Sequence, residues 1–224
     1  MTRVYDRVRE SYDRVAKRYA DEYAGELAGK PLDRALLRCV HDLVGEVEES
    51  TGGGSVADLG CGPGHIAGYL TGMGLDVVGV DLSAAMVEVA RRRYSEVTFR
   101  VGSLLAIPAT DGEFAGAIAF YSIIHLRPDD RAQAYAEMSR VIRPGGWLLV
   151  AFHTTPPEPV TGDIMHADEW WGEKVDLDFY YLDPADVATG LAAAGFTVMA
   201  RTDRQPWPGL EPQTQRCYLL CRRS

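Results

Sequence analysis

The sequence has few cysteines, no long apolar run and no excess of basic residues. Its four cysteines, Cys39, Cys61, Cys217 and Cys221, form no Cys-x-x-Cys pair and lie beside no histidine at metal-ligand spacing, so we expect reduced thiols and no metal site. No run of about 18 apolar residues could span a membrane, and the charged N-terminus lacks the apolar segment of a signal peptide. These absences predict a cytoplasmic protein with no membrane partner.

The charge balance argues against a nucleic-acid partner. The formal net charge is −9 at pH 7, whereas binding to a phosphate backbone depends on Lys and Arg side chains that displace counterions. With 224 residues and 46% hydrophobic content, the chain is suited to one domain with a substantial core. We therefore expect a small-molecule substrate.

Two helical patterns come first along the chain. Apolar residues from Val4 to Tyr23 recur at spacings of three and four, which predicts an amphipathic N-terminal helix. A second helix is predicted from Pro31, a favoured first-turn residue, up to the glycine run at 52–54. The apolar face of the first helix must dock on the rest of the molecule.

Strand-like and helix-like segments then alternate. The predicted strands are SVADL, LDVVGV, EVTFRV, FAGAIAFY and WLLVAFH, all short apolar runs rich in β-branched or aromatic residues. Helices are predicted between them over residues 63–73, 83–93 and 128–142, the last closed by Pro144-Gly145-Gly146. This alternation predicts a mainly parallel sheet with right-handed crossovers.

The last third of the chain is less regular. Residues 154–182 are polar and contain several prolines, so we predict an irregular insert there. A helix is predicted to begin at Asp183-Pro184 and to stop at Gly195, before the strands FTVMAR and TQRCYLL. Because no helix separates those two strands, they should pair antiparallel.

The stretch VADLGCGPGH lies between the first predicted strand and the next helix. Its glycines let the backbone approach a ligand, although a tight turn without a ligand is the alternative. Asp81 ends the second predicted strand, 21 residues after Gly60, where a carboxylate can accept both hydroxyls of a ribose. Asp58 adds a carboxylate that would repel a pyrophosphate and attract a cation. The pattern predicts a cationic nucleoside ligand without phosphates.

Four motifs in order resemble the class I S-adenosylmethionine-dependent methyltransferases: VADLGCGPGH, VVGVDLS, FAGAIAFYSIIHL and RVIRPGGWLLVAFH. The N-terminal SYDRVAKRYADEY is similar to the lid helix of the branch that methylates small molecules and quinone precursors. The resemblance implies a Rossmann-like α/β fold, with a seven-stranded mostly parallel sheet, an antiparallel last strand and helices on both faces. It also implies S-adenosylmethionine as cofactor, S-adenosylhomocysteine as product, and methyl transfer to an oxygen, nitrogen or carbon atom of a small molecule.

We interpret the chain as a single methyltransferase domain. Its predicted parts are a helical lid at 1–50, a cofactor-binding core at 51–153, a substrate-side insert at 154–182 and a C-terminal helix and strands at 183–224. Two other functions stay open. A nicotinamide-dependent oxidoreductase shares the glycine turn and ribose acid, but its fingerprint is Gly-x-Gly-x-x-Gly instead of Gly-x-Gly-x-Gly. A non-catalytic regulatory protein could also keep this fold to bind the cofactor.

The resemblance implies a set of cofactor-binding residues: Tyr12, Tyr19, Asp58, Gly60, Cys61, Gly62, Asp81, Leu82, Met86, Ser103, Leu104 and Phe120. Asp81 would bind the ribose hydroxyls, and Tyr12 and Tyr19 would bond the methionine carboxylate, although an ordinary amphipathic helix explains the tyrosines as well. Leu82 and Met86 would sandwich the adenine, with helix packing as the alternative for Met86. Ser103 stands where the family often has an acidic adenine contact.

We expect the protein to accelerate the reaction mainly by positioning the reactants, because the methyl group is already activated. Holding the two reactants about 3 Å apart supplies much of the acceleration. An amine or hydroxyl acceptor must also lose a proton, and His125 and His153 are the candidate bases. A structural hydrogen bond is the alternative for each histidine. The predicted acceptor-side residues are Tyr121, Trp170, Trp171 and Tyr181. These aromatic side chains would wall a pocket for an apolar or planar acceptor, or pack the insert against the sheet.

Overall fold

The computed structural model describes residues 3–51, 54–156 and 163–224. Its helices are α1 Arg3–Tyr23, α2 Pro31–Thr51, α3 His65–Thr71, α4 Ala84–Arg93, α5 Pro128–Val141 and α6 Pro184–Ala193. Its strands are β1 Ser55–Leu59, β2 Val77–Asp81, β3 Thr98–Val101, β4 Phe114–Phe120, β5 Ile142–Thr155, β6 Ile164–Trp170, β7 Glu173–Tyr180, β8 Phe196–Arg204 and β9 Gln215–Arg223. Among these described residues, no helix is both long enough and apolar enough to cross a bilayer.

Seven strands form one sheet in the order β3-β2-β1-β4-β5-β9-β8. Strands β1 to β5 pair in parallel, while β9 runs antiparallel to both β5 and β8. This confirms the predicted Rossmann-like sheet with an antiparallel last strand. The strand order reverses between β1 and β4, and a crevice at the carboxyl ends of two such strands is where open α/β sheets bind ligands.

The sheet is covered on both faces, which explains why its strands read as continuous apolar runs. Every residue of β4 is buried. On one face, Met138 of α5 and Leu191 of α6 belong to the core. On the other face of the sheet, Val40 of α2 and Leu70 of α3 belong to the core. The predicted arrangement of helices on both faces is therefore confirmed.

Some boundaries differ from the sequence predictions. The helix predicted over 63–73 begins only at His65, because Gly62 and Gly64 take positive φ values of 51° and 83° that a right-handed helix does not allow. The Pro144-Gly145-Gly146 run does not close a helix but lies inside β5, which begins at Ile142. A register shift between β4 and β5 accommodates it.

The prediction of an irregular segment over 154–182 was wrong for its described part. Strands β6 and β7 form an antiparallel hairpin, and its turn residues Trp171 and Gly172 both have positive φ, as in a type I′ turn. Residues 157–162 lie outside the described residues. The strand signal was the alternation of buried Val175 and Leu177 with polar neighbours, which the charged composition of the segment obscured.

Helix α1 is held between the hairpin and α4, so its apolar face docks on the rest of the molecule, as predicted. Val8 and Val15 pack with Val175 and Leu177 of β7. On its other side, the Asp13 Oδ1 atom accepts hydrogen bonds from the Ser83 hydroxyl at 2.6 Å and from the Ala85 N–H at 3.1 Å, at the start of α4. The tyrosines of α1 are thereby fixed over the carboxyl ends of the strands.

Candidate functional site

A cavity of about 990 Å³, including its open mouth, lies at the carboxyl ends of β1 to β4, with α1 as one wall. The predicted site residues that line it are Tyr12, Tyr19, Gly60, Cys61, Gly62, Asp81, Leu82, Met86, Ser103, Leu104, Phe120, Tyr121 and His125. Those that do not line it are Asp58, His153, Trp170, Trp171 and Tyr181.

In the glycine turn after β1, main-chain atoms without side chains line the cavity. Gly60 and Gly62 have φ values of 80° and 51°, in the left-handed region that favours glycine. The Gly60 N–H donates to the Val80 carbonyl at 2.7 Å, which joins the turn to the end of β2. A Cβ atom on Gly62 would lie 4.0 Å from the Tyr19 ring, so this glycine faces the lid helix across the cavity.

Asp81 joins the glycine turn to the start of α4. Its Oδ2 atom accepts a hydrogen bond from the Gly62 N–H at 2.8 Å, and its Oδ1 atom accepts one from the Ser83 N–H at 2.8 Å. Burial raises the pKa of Asp81 to about 6, although the two backbone N–H groups oppose the shift. Each carboxylate oxygen keeps a further lone pair, so the group can also accept hydrogen bonds from ligand hydroxyls.

Asp58 lies buried beneath the glycine turn, at the end of β1. Its Oδ2 atom has no hydrogen-bond partner among the described residues. Burial raises the pKa of Asp58 to about 7, opposed by the charge of His65 and the N–H of Ala67. A buried carboxylate oxygen without a partner is costly, so it favours either a proton or a nearby cation.

Two residues that the sequence predictions did not include, Glu26 and His65, line the cavity near the glycine turn. The Glu26 carboxylate accepts a hydrogen bond from His65 Nε2 at 2.6 Å and another from Lys30 Nζ at 2.6 Å. Burial would raise the pKa of Glu26, but His65 and Lys30 lower it to about 2. His65 directly follows the glycine motif and could have been noticed, whereas no sequence pattern marks Glu26.

Tyr12 and His125 form a hydrogen-bonded pair on the cavity wall. The Tyr12 hydroxyl lies 2.7 Å from His125 Nε2, and His125 Nδ1 lies 2.9 Å from the main-chain oxygen of Asp178. Burial lowers the pKa of His125 to about 4, against the opposing effect of the Asp178 carbonyl, so the ring is neutral near pH 7. The predicted bond from Tyr12 to a methionine carboxylate would require the bond to His125 to break.

His153, the other predicted base, lies behind the cavity wall. Its ring stacks on Tyr121 at a centroid distance of 4.8 Å, and its Nδ1 atom lies 2.8 Å from the Thr214 hydroxyl. Burial and the nearby charge of Arg216 lower its pKa to about 3. This environment matches the structural alternative, because the His153 ring packs on Tyr121, which lines the cavity, and does not line the cavity itself.

Tyr121 follows β4 with a φ of 54°, which is uncommon for a residue other than glycine. Its hydroxyl lies 2.9 Å from that of Tyr218, which in turn donates to Asp33 Oδ1 at 2.9 Å. Arg204 Nε also donates to the Tyr218 hydroxyl at 2.9 Å. A polar network of side chains from α2, β8 and β9 therefore holds the Tyr121 hydroxyl in place.

The predicted adenine contacts lie around the ends of β2 and β3. Met86 is buried against Ala16, Ala20 and Val89, so the packing alternative accounts for most of its surface. The Ser103 hydroxyl accepts a hydrogen bond from the Leu105 N–H at 3.1 Å and keeps a second lone pair for an amino group.

The predicted acceptor-side tryptophans stand outside the cavity lining. Trp170 and Trp171 stack on each other with centroids 4.6 Å apart. Tyr19 meets both rings edge-on at 5.7 Å and 6.2 Å. The pair therefore packs behind the lid tyrosines. Tyr181 lies in a separate polar cleft beside β8 and β9.

Residues 56–146 match the family model of a methyltransferase domain. A demethylmenaquinone methyltransferase of Beutenbergia cavernae is 33% identical over 146 residues, which cover 65% of this chain and 58% of that protein. An O-methyltransferase of Penicillium expansum is 32% identical over 162 residues, which cover 67% of this chain and 55% of that protein. The chain spans a little over half the length of these curated relatives.

Solved structures with the same fold include a SAM-dependent methyltransferase of Methanosarcina mazei. It has a TM-score of 0.68 at 14% identity, covering 75% of this chain and 92% of that one. The geranyl diphosphate C-methyltransferase of Streptomyces coelicolor, crystallised with Mg²⁺, geranyl diphosphate and S-adenosylhomocysteine, has a TM-score of 0.60 at 17% identity, covering 85% of this chain and 78% of that one. At these identities the likeness concerns the fold alone.

Proposed function

Because the chain belongs to the class I S-adenosylmethionine-dependent methyltransferase family, we propose that it transfers a methyl group to an oxygen, nitrogen or carbon atom of a small molecule. S-adenosylmethionine is its proposed cofactor and S-adenosylhomocysteine its product. The observation that carries this proposal is the Asp81 carboxylate, held by Gly62 and Ser83 at the edge of the cavity.

The residues around the cavity fit this cofactor. Asp81 can accept bonds from the ribose hydroxyls, and the bare backbone of Gly60 and Gly62 leaves room for the chain that carries the sulfur. The unpartnered oxygen of Asp58 and the carboxylate of Glu26 favour a positively charged ligand near the turn.

When bound, the cofactor supplies a methyl group on a positively charged sulfur. The chain's part is to orient that group and exclude water. The aromatic side chains of Tyr12, Tyr19 and Phe120 line the same cavity and can stabilise the charge. Trp170 and Trp171 pack behind the tyrosines and keep this side of the site covered.

The methyl acceptor is proposed to enter beside α1 and the segment after β4. Apolar side chains of Val8, Leu104 and Leu126 line the cavity together with Tyr5. Such a wall suits a small apolar or planar molecule. We further propose that the protein acts in the cytoplasm without a nucleic-acid partner, in keeping with its net charge of −9.

A calorimetric titration tests the cofactor assignment. S-adenosylhomocysteine should bind at micromolar concentration or below, and NADH should give no heat, since Asp58 disfavours a pyrophosphate at the glycine turn. Binding of NADH without binding of S-adenosylhomocysteine would contradict the proposal. Transfer of labelled methyl groups to a panel of phenols, amines and carboxylates then distinguishes an enzyme from a protein that only binds the cofactor.

A further inference from the structure

The hydrogen bonds at Tyr12 have a direction that the geometry imposes. The main-chain oxygen of Asp178 can only accept, so His125 Nδ1 must donate to it. The other nitrogen of the neutral ring, Nε2, is then an acceptor, and the Tyr12 hydroxyl must donate to it across 2.7 Å. The Tyr12 oxygen can therefore only accept a hydrogen bond from any other group in the cavity.

This arrangement is held from three sides. Asp178 belongs to β7, and α1 is joined to that strand because the Asp176 N–H donates to the Ser11 hydroxyl at 2.8 Å. The His125 ring packs edge-on against Phe179 at 4.8 Å and against Tyr12 at 5.4 Å. Turning the Tyr12 proton toward the cavity would therefore break its hydrogen bond to His125, whose ring is held in place by β7 and Phe179.

The surroundings of Tyr12 favour a neutral partner. Among the described residues, the cavity lining contains two carboxylates, Glu26 and Asp81, and no Lys or Arg side chain. The side chains of Val8 and Leu126 line the same cavity and are buried. A ligand carboxylate facing the Tyr12 oxygen would meet its lone pairs, whereas a ligand hydroxyl or N–H group would donate a hydrogen bond to it.

We propose that the Tyr12 oxygen accepts a hydrogen bond from the methyl acceptor, so that the site selects molecules carrying a hydroxyl or N–H group over carboxylates. The inference rests on the proposed function, since it concerns the acceptor half of the same cavity. It makes Tyr12 a specificity-determining residue and His125 the residue that orients its proton.

Four naphthalenes that differ in one substituent test whether the Tyr12 oxygen accepts a hydrogen bond from the ligand. The protein is saturated with S-adenosylhomocysteine, and the affinities of 2-naphthol, 2-naphthylamine, 2-methylnaphthalene and 2-naphthoate are measured by calorimetry. We expect 2-naphthol to bind about fivefold more tightly than 2-methylnaphthalene, the scale of one net hydrogen bond. We expect 2-naphthoate to bind more weakly than both.

Variants separate the hydrogen bond from general packing. Tyr12→Phe should reduce the ratio of the affinity for 2-naphthol to that for 2-methylnaphthalene to about one, because it removes only the hydroxyl. Tyr23→Phe, at the end of the same helix and outside the cavity lining, should keep the wild-type preference. His125→Phe should release the Tyr12 proton and raise the relative affinity for 2-naphthoate, whereas a merely structural role would weaken all probes alike.

The outcomes distinguish this inference from the proposal on which it rests. Absence of S-adenosylhomocysteine binding would contradict the proposed function itself. If that ligand binds but 2-naphthol and 2-methylnaphthalene have equal affinities, or neither binds, the role of Tyr12 is overturned. Tighter binding of 2-naphthoate by the wild type would overturn it as well.

Discussion

Gly60 and Ser122 approach so closely that a Cβ atom on Gly60 would lie 2.3 Å from the Ser122 Cβ. The two residues follow β1 and β4, the neighbouring strands between which the strand order reverses. Gly60 also has a φ of 80°, which disfavours any side chain. Glycine is required here by the backbone conformation and by the neighbouring strand.

Gly60→Ala should therefore destabilise the protein by about 2 kcal/mol or more, from backbone strain of about 1–2 kcal/mol together with the steric clash. Urea unfolding measures the change. Gly74→Ala is the matched control, because Gly74 also has a positive φ, 101°, but a Cβ atom there would have no neighbour within 4 Å. Equal losses of stability in the two variants would show that the clash with Ser122 is unimportant. Adding Ser122→Gly should recover part of the stability that Gly60→Ala loses and none of the stability that Gly74→Ala loses.

Asp81→Ala should weaken binding of S-adenosylhomocysteine about 30-fold, or about 2 kcal/mol, because it removes the acceptor proposed for the ribose hydroxyls. Calorimetry gives the affinity, and circular dichroism checks the fold. Asp76→Ala, an exposed residue just before the same strand, is the control and should bind normally. A folded Asp81→Ala variant with wild-type affinity would refute the placement of the ribose.

Cofactor binding should release protons and strengthen as pH rises. Burial raises the pKa of Asp58 to about 7 and that of Asp81 to about 6, so both are partly protonated in the free protein near pH 6. The ammonium group of the ligand, and the ribose hydroxyls proposed to donate to Asp81, favour the ionised forms and lower both pKa values. The affinity for S-adenosylhomocysteine should therefore rise by up to about 100-fold per pH unit below pH 6, where both groups release a proton on binding. Between pH 6 and pH 7 the rise should be up to about tenfold, from Asp58 alone, and the affinity should level off above pH 7.

Calorimetry in buffers of different ionisation enthalpy counts the released protons. Asp58→Asn removes the group with the higher pKa and should flatten the dependence between pH 6 and pH 7. An affinity that is constant from pH 5.5 to pH 8 would contradict the prediction.

Asp33→Ala should lower the free energy of unfolding by about 3 kcal/mol, because the largely buried side chains of Arg204 and Tyr218 each lose a partner. Arg204 keeps its bond to Glu211, which limits the loss. Asp42→Ala on the same helix, where the side chain is 67% exposed, should change the stability by less than about 0.5 kcal/mol. Similar effects of the two substitutions in urea unfolding would show that the buried network contributes little.

The sheet and the glycine turn that lines the cavity could be predicted from the amino-acid sequence, because both depend on local patterns. A strand buried on both faces reads as an apolar run, and β1 was predicted at its observed bounds, Ser55–Leu59. The positions of Gly60 and Asp81 followed from the ends of those strands. The hairpin β6–β7 was missed because its buried face packs on α1, and its charged outer residues dominate the composition.

The pairing of the polar groups in the site, by contrast, became visible only in three dimensions. His125 and His153 were equivalent candidates in the sequence, yet only His125 lines the cavity, while His153 lies behind Tyr121. The bond between Glu26 and His65 joins residues 39 positions apart. The proton direction at Tyr12 depends on a carbonyl of β7 far along the chain. Spacing along a sequence specifies helices and strand ends, but hydrogen-bond partners are chosen where distant elements meet.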